Sequence, residues 1–228
     1  MNKALFLLIL LFQVFILDAQ SLKWLASDGG SAGSPQIRDL ATDQQGNIYG
    51  IGSFSNAAIT VNGNSINPVG GFDAFVVKYS ADGELIWFKT IGGTGTDVGL
   101  QIEADTNGKI YVSIFSNSSP LKVADSSLSS SVSGILRFDS SGTFERVLTT
   151  GMSVYDMKFY KGSLYFRTFA NTLFKSNLDG GTIWSKPISG SFAGNNIVLT
   201  PPETSLEITP HGNIIFTSAS TGNYTYDG

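Results

Sequence analysis

Beyond its first twenty residues the chain alternates apolar and polar positions in short runs, broken by Gly, Asn, Asp and Ser. That is the period-two pattern of β-strands joined by tight turns. Four segments share one shape: residues 37–54 (IRDLATDQQGNIYGIGSF), 100–115 (LQIEADTNGKIYVSIF), 154–169 (VYDMKFYKGSLYFRTF) and 206–219 (LEITPHGNIIFTSA). Each reads as an alternating strand, a polar turn with a glycine, and a second strand rich in aromatic and β-branched residues. The turn glycines, Gly46, Gly108, Gly162 and Gly212, lie 62, 54 and 50 residues apart. A second shape recurs between them, in residues 72–92, 132–151 and 172–190: strand, Asp/Ser-Gly turn, strand, glycine. Such turns between apolar runs are strong hairpin signals, because glycine tolerates the positive φ they need. No segment sustains a 3.6-residue period, so helix is expected nowhere beyond the first twenty residues.

Joined together, the two shapes make a unit of four antiparallel strands in about 40 to 60 residues, the size of a propeller blade. Trp87 and Trp184 occupy matching places in the fourth strands of their units, and Arg146 takes that place in the unit between. Trp24, in SLKWLASDGG, matches ELIWFKTIGG and is expected to lie on a lone fourth strand. Packing between blades is the expected role of these tryptophans. Central strands with apolar residues on both faces need neighbours on both sides, which is the logic of a stacked repeat. The expected fold is all-β, a β-propeller of four-stranded antiparallel blades with about three complete units plus partial flanking units, as a fragment of a larger ring. Residues 221–228 (TGNYTYDG) can be laid against 56–63 (NAAITVNG), so that the chain stops mid-blade, and this is the favoured register. In the alternative register NYTYDG is a third strand ending at its turn.

The first twenty residues read differently. Lys3 precedes an apolar run over residues 4–17, interrupted only by Gln13, and Asp18-Ala19-Gln20 ends it with a cleavage point after Ala19. This is the layout of a secretory signal peptide, residues 1–19, although Leu17 stands where a small residue is usual. Fourteen residues fall short of the roughly 20 needed to cross a bilayer as a helix. The remaining residues, 20–228, form the repeat domain, with no stable membrane insertion once the leader is removed. Export places the protein in the secreted or cell-surface class.

Composition then removes several chemistries. No cysteine is present, which excludes a lipid-anchoring lipobox, disulfides and thiol catalysis. Fourteen Lys+Arg against 18 Asp+Glu, net −4, give no basic footprint for nucleic acid. His211, the single histidine, sits in a Pro-His-Gly turn and leaves little from which to build a triad or a His-rich metal site. A glycosidase would need only two carboxylates, and Asp73, Asp97, Glu103 and Asp105 are nearby candidates, but each falls at a repeat position that packing or a turn explains. The Asp43–Asn47 and Asp105–Gly108 turns lack the alternating acids and closing Glu of a calcium loop, so Asp is expected to cap its own turn. Gly29-Gly30-Ser31-Ala32-Gly33 and Gly92-Gly93-Thr94-Gly95 have no following helix and no P-loop lysine, and are expected to be connections between blades. Asn117 and Asn223 head glycosylation sequons in form only. No catalytic, cofactor-binding or metal residue is assigned, and no cofactor is expected.

Residues 70–97 (GGFDAFVVKYSADGELIWFKTIGGTGTD) resemble the SBBP bacterial β-propeller repeat family. The Gly-Gly-x-Asp-Ala-Phe-Val-x-Lys-Tyr strand, the Asp-Gly turn, the Trp, and Ile-Gly-Gly followed by Asp carry the match, and residues 40–55 resemble the family's first two strands. The second unit has lost the Trp and the Asp-Ala-Phe. The resemblance implies a protein secreted or surface-exposed in Gram-negative bacteria, of a kind that mostly has no assigned activity. Many such proteins carry a type IX sorting domain, for which these residues show no counterpart. The expected function is a non-enzymatic binding or scaffold module for a protein or polysaccharide, acting through the loops at residues 55–71 and 116–133. The alternative is a carbohydrate-active enzyme or polysaccharide-binding module whose active residues lie elsewhere. Those two loops hold no aromatic residue, which weighs against stacking on sugars.

Overall fold

The computed structural model describes residues 35–55, 58–188, 206–216 and 224–226. The leader at residues 1–19, the Trp24 segment, Gly29–Gly33 and Asn223 lie outside the described residues. Every described element is a strand, as the alternation requires. The first unit comprises β1 (Gln36–Thr42), β2 (Ile48–Ser55), a small hairpin of β3 (Ile59–Val61) and β4 (Asn64–Ile66), then β5 (Phe72–Tyr79) and β6 (Leu85–Gly92). The second comprises β7 (Asp97–Ala104), β8 (Ile110–Ser116), the hairpin β9 (Leu121–Val123) and β10 (Ser126–Leu128), then β11 (Gly134–Phe138) and β12 (Phe144–Val147). The third is β13 (Val154–Tyr160), β14 (Ser163–Thr168), β15 (Thr172–Ser176) and β16 (Thr182–Pro187). A last sheet has β17 (Leu206–Ile208), β18 (Ile214–Phe216) and β19 (Tyr224–Tyr226).

Each unit is an antiparallel meander in chain order: β1-β2-β5-β6, β7-β8-β11-β12, β13-β14-β15-β16 and the three-stranded β17-β18-β19. Two departures from the sequence reading stand out. Residues 55–71 and 116–133 are not plain loops, since each folds a short hairpin, and β9 pairs with β6 through Ile91↔Val123 and so extends the first sheet to six strands. Alternation in ITVNGNSI and LKVADSSL is enough to make a hairpin around Asn62 and Ala124, both at positive φ. The second departure concerns the C-terminal register. Residues 224–226 pair with β18 (Ile214↔Tyr226, Phe216↔Tyr224), which is the third-strand register, not the mid-blade loop favoured from spacing. The β-prone Tyr-Thr-Tyr continues the meander.

The first strands lie side by side in order, β1 on β7, β7 on β13, β13 on β17. β1, β7 and β13 carry the same irregularity, a bulge at Ile37/Asp39, Gly99/Gln101 and Val154/Asp156. The main core lies between the first two sheets and holds Tyr49, Ile51, Val76, Ile91, Ile102, Val112, Leu136 and Phe138. A second core, with Tyr111, Ile135, Met157, Leu164 and Phe166, lies between sheets two and three. A third joins Tyr165 and Leu173 to Leu206 and Ile214 of the last sheet. Apolar residues on both faces of the second and third sheets are thus buried by their neighbours, as a stacked repeat demands.

One row of cross-strand partners recurs in every sheet. It reads Ala41–Tyr49–Lys78–Trp87 in the first and Glu103–Tyr111–Arg137–Arg146 in the second. It reads Lys158–Tyr165–Lys175–Trp184 in the third and Glu207–Ile215–Thr225 in the last. Lys78 and Lys175 sit 5.0 and 5.3 Å from the centroids of Tyr49 and Tyr165, within cation–π range. Lys78 Nζ and Trp87 Nε1 both donate to the Ser140 carbonyl, at 3.2 and 3.1 Å, in a turn of the second sheet. Arg137 Nη1 repeats the contact on the Leu178 carbonyl of the third sheet at 2.6 Å. The tryptophan at this position therefore packs on the next unit, as expected. Arg146 keeps the junction by charge, with Nη1 3.5 Å from Asp179 Oδ1, where Arg137 also ion-pairs.

The turns explain the Asp and Ser of the repeat. Asp43 Oδ1 accepts from the Gln45 and Asn47 N–H groups, and Asp105 Oδ1 from those of Asn107 and Lys109. Asp139 and Asn177 do the same in second turns, while Ser80 and Thr209 use hydroxyls. These side chains cap their own turns. The four first-turn glycines have φ of +79, +76, +73 and +92°.

Gly142 separates the turn's two demands. Its φ is +81°, and an added Cβ would lie 3.0 to 3.2 Å from the Trp87 ring, whereas Gly162 has φ +73° and open space. Gly162→Ala should cost only the left-handed strain, roughly 1–2 kcal/mol. Gly142→Ala should cost about 1–3 kcal/mol more by displacing Trp87 from the junction. Urea denaturation of both variants checks this, and equal losses would mean that Trp87 does not press on that turn.

Candidate functional site

The meanders give the stack two unlike ends. One end holds the short capped turns between first and second and between third and fourth strands. The other holds the β3–β4 and β9–β10 hairpins, the connections from the first sheet to the second and from the second to the third, and the starts of the first strands. Phe72 at the start of β5, Phe115 near the end of β8 and Phe169 just after β14 all fall at this loop end and are 44, 39 and 52% exposed. Val69 is exposed there too. Phe115 and Phe169 close equivalent second strands. Tyr155 meets Phe169 edge-on at 4.7 Å, and the Arg167 guanidinium lies 4.6 Å over the Tyr155 ring, a layered Phe–Tyr–Arg group. None of these aromatics was singled out from the sequence, because each belongs to a strand whose other aromatics are core. A repeated Phe in the last outward position of a second strand is the signal that could have found them.

Two buried carboxylates fasten this end. Asp73 accepts from the Val69 and Gly70 N–H groups at 2.9 and 3.4 Å, and a Cβ on Gly92 would lie 2.4 Å from its Cγ. Asp97 accepts from Gly93 N–H at 2.9 Å, from Ser116 Oγ at 2.5 Å and from Ser118 Oγ at 2.6 Å. Burial raises the Asp73 pKa, and the Asp97 charge raises it further. The Gly92–Gly95 stretch is the tightly packed connection between sheets one and two, where Gly71 N–H donates to Gly95 O at 2.8 Å. Asn117 is exposed, and its Oδ1 accepts from Thr96 N–H.

The other carboxylates weighed from the sequence lie elsewhere. Asp105 caps its turn and accepts from Tyr111 Oη at 2.9 Å, which with burial raises the tyrosine pKa. Glu103 lies on a first strand, so the four do not converge on one point. His211 is exposed in its turn. Among the described residues no group of three or more His, Cys, Asp or Glu could hold a metal ion.

The first strands carry a second polar feature that sequence reading missed except for Glu103. Glu103, Lys158 and Glu207 occupy one register position on β7, β13 and β17, and Lys158 Nζ reaches Glu103 Oε1 at 3.2 Å and Glu207 Oε1 at 3.6 Å. Two residues earlier, beside the bulges, stand Asp39 and Asp156. Asp39 Oδ2 accepts from Ile102 N–H of the next sheet at 2.8 Å, and Glu103 Oε2 from Phe159 N–H at 3.3 Å. Asp156, with 4% of its side chain exposed, lies 3.9 Å from Arg167 Nη2. Burial raises the pKa of Asp39, Glu103 and Asp156 alike, that of Asp156 up to about 7 against the pull of Arg167 and Lys158. The carboxylate ladder thus ties first strand to first strand, and buried acids of this kind are structural as readily as catalytic.

No family model and no curated protein matches the chain. Solved structures do. A Bacteroides caccae protein of unknown function matches at 12% identity over 85% of this chain and 61% of its own, with a TM-score of 0.47. The computationally designed Ika8 protein matches at 8% identity over 84% and 45%, with a TM-score of 0.49. The designed Ika4 protein matches at 12% identity over 89% and 96%, with a TM-score of 0.46. The chain therefore spans about three fifths of the first of these and under half of the second.

The Asp156 carboxyl gives this ladder a measurable signature. An unfolded aspartate releases its proton near its ordinary value of 3.8, whereas the folded one holds it to about 7. Folding then takes up a proton in that window, so stability falls as pH rises from about 4 to about 7. Asp156→Asn should flatten the slope of unfolding free energy against pH by up to about one proton, measured by urea melts across that range. An unchanged slope would mean that Asp156 is ionised in the folded chain.

Proposed function

We propose that this chain is an exported β-propeller that binds a protein or polysaccharide partner through the loop end of its sheets and performs no catalysis of its own. The observation that carries the reading is the difference between the two ends. One end is closed by turns whose own side chains satisfy the backbone. The other offers hairpins and exposed Phe72, Phe115 and Phe169 over a base pinned by Asp73 and Asp97. Exposed aromatics on a rigid base are what a recognition surface uses. Support for the propeller comes from the sequential packing of β1, β7, β13 and β17, each the first strand of its sheet. Residues 1–19 support export, and residues 70–97, similar to an SBBP repeat, support a secreted or surface location. The sheets hold the Glu103, Asp156 and Lys158 charges among themselves, which favours a structural over a catalytic use of them.

The exposed phenylalanines also bring back the polysaccharide reading that the aromatic-free loops had weighed against. Binding of the chain to a glycan array and to a displayed peptide library separates the two classes. In either case Phe115→Ser with Phe169→Ser should weaken the captured interaction at least tenfold while leaving the thermal melt within a few degrees. Undiminished binding by the double variant would overturn the assignment of the loop end.

A further inference from the structure

We propose that Asn62 is a self-modifying site, where attack by the Gly63 backbone nitrogen on the Asn62 side-chain amide leads to isoaspartate and opens the β3–β4 hairpin. The inference goes beyond the binding reading and does not depend on it. Water is the only co-reactant. The bond from Gly63 N to Asn62 Cγ forms as the Cγ–Nδ2 bond breaks, and ammonia leaves with the proton of the Gly63 N–H. Water then adds to the succinimide ring. Cleavage of the new N–Cγ bond gives aspartate, whereas cleavage of the original backbone bond to Gly63 N gives isoaspartate, whose main chain runs through Cγ. Asparagine is the residue prone to this chemistry, and a following glycine has no Cβ to hinder the attack.

Asn-Gly occurs at residues 62–63 and again at 107–108, and the fold treats the two pairs oppositely. Asn62 and Gly63 are exposed at the tip of a tight turn, between Val61 and Asn64, which pair. Their φ values are +50 and +78°, and a Cβ added to Gly63 would meet nothing within 4 Å. The flanking strands have 3 residues each and form a sheet of their own. So short a hairpin opens locally, and opening frees the Asn62 backbone to turn until Gly63 N faces Cγ. Asn107 is caged instead. Its N–H donates to Asp105 Oδ1 at 2.8 Å, and Gly108 N–H, the would-be nucleophile, donates to Asp105 O at 3.1 Å. Lys109 N–H and Tyr111 Oη, each at 2.9 Å, fasten the same buried carboxylate. Turning the Asn107 backbone would break these bonds together.

The product does not fit the turn that made it. Isoaspartate adds a main-chain atom between Val61 and Asn64, and turn length sets the register of a hairpin. Once that register is lost, Ile59 no longer has a fixed place among Phe54, Phe75 and Val77, the cluster that the hairpin covers. The matching hairpin β9–β10 is inert by composition and by tether. It turns at Ala124 and Asp125, with no side-chain amide. It is also bonded to β6 through Ile91↔Val123 and through Ala124 N–H to Thr90 O at 2.9 Å. One structural element of the repeat is thus present in a reactive form and in an unreactive one.

The full chain is incubated at mildly alkaline pH, folded and in urea, and peptide mapping by mass spectrometry follows the gain of about 1 Da at each asparagine. Enzymatic methylation distinguishes isoaspartate from aspartate. In urea the two Asn-Gly pairs should convert at similar rates, because only their local sequence acts. In the folded chain Asn62 should convert roughly tenfold faster than Asn107, and isoaspartate should be among its products. Similar rates in the folded chain, faster conversion at Asn107, or conversion of Asn62 in urea alone would each overturn the proposal. Amide hydrogen exchange then reads the consequence: the converted chain should exchange several-fold faster in β3 and β4 and unchanged in β9 and β10. Asn62→Asp adds the same charge without lengthening the main chain, and aspartate tolerates the left-handed region, so this variant should keep the hairpin protected. Undiminished protection in the converted chain, or equal loss in Asn62→Asp, would overturn opening by isoaspartate.

Discussion

The fold depends on a contact made from one sheet to the next: a cation on the third strand, with its fourth-strand neighbour, docks on a backbone carbonyl in the following unit's turn. Lys78 and Trp87 share the Ser140 carbonyl, and Arg137 takes the Leu178 carbonyl. A sheet with apolar side chains on both faces cannot persist alone in water, so each unit needs the next. Burial supplies the drive, but it is not directional. The donor-to-carbonyl contact fixes how one sheet is set against another, and the tyrosine beneath each lysine holds the cation in place. Where the tryptophan is replaced by Arg146, the junction turns to ion pairs with Asp179, and the stacking is kept by different chemistry.

At the first strands the same stacking brings charge together. The shared bulge sets Asp39 and Asp156 beside the line of Glu103, Lys158 and Glu207, and the sheets exchange hydrogen bonds through Ile102 and Phe159 N–H. Buried acids with raised pKa values cost stability at neutral pH, so this ladder reads as a specifier of alignment more than as a source of strength. The loop end is fastened differently, by Asp73 and Asp97 accepting from the backbone of the connecting segments. It has a pinned base and an aromatic surface, and that contrast is the physical content of the binding reading.

Much of this was legible in the sequence. Period-two alternation gave the strands, and the spaced glycines gave the turns, because a positive φ is a local requirement that glycine meets. Asp43, Asp105 and Asp139 could be read as caps for the same local reason. Trp87 and Trp184 were readable as packing residues from their matched places. What escaped notice depends on more than one unit. The bulges leave no local mark, so the convergence of Asp39, Asp156 and Arg167 could not be read from residues scattered over three strands. The hairpins inside residues 55–71 and 116–133 were hidden by Ser-rich composition, and Phe115 and Phe169 by the core aromatics around them. The C-terminal register went the other way from the spacing of Thr and Gly, because pairing with β18 decides it.

The mutual dependence of neighbouring sheets can be measured directly by amide hydrogen exchange on a Trp87→Ala variant. Trp87 belongs to the first sheet but rests on the Ser140–Gly142 turn of the second. If the sheets support one another through this contact, exchange should quicken several-fold in β11 and β12 as well as in β5 and β6. Faster exchange confined to β5 and β6, with β11 and β12 unchanged, would contradict the account.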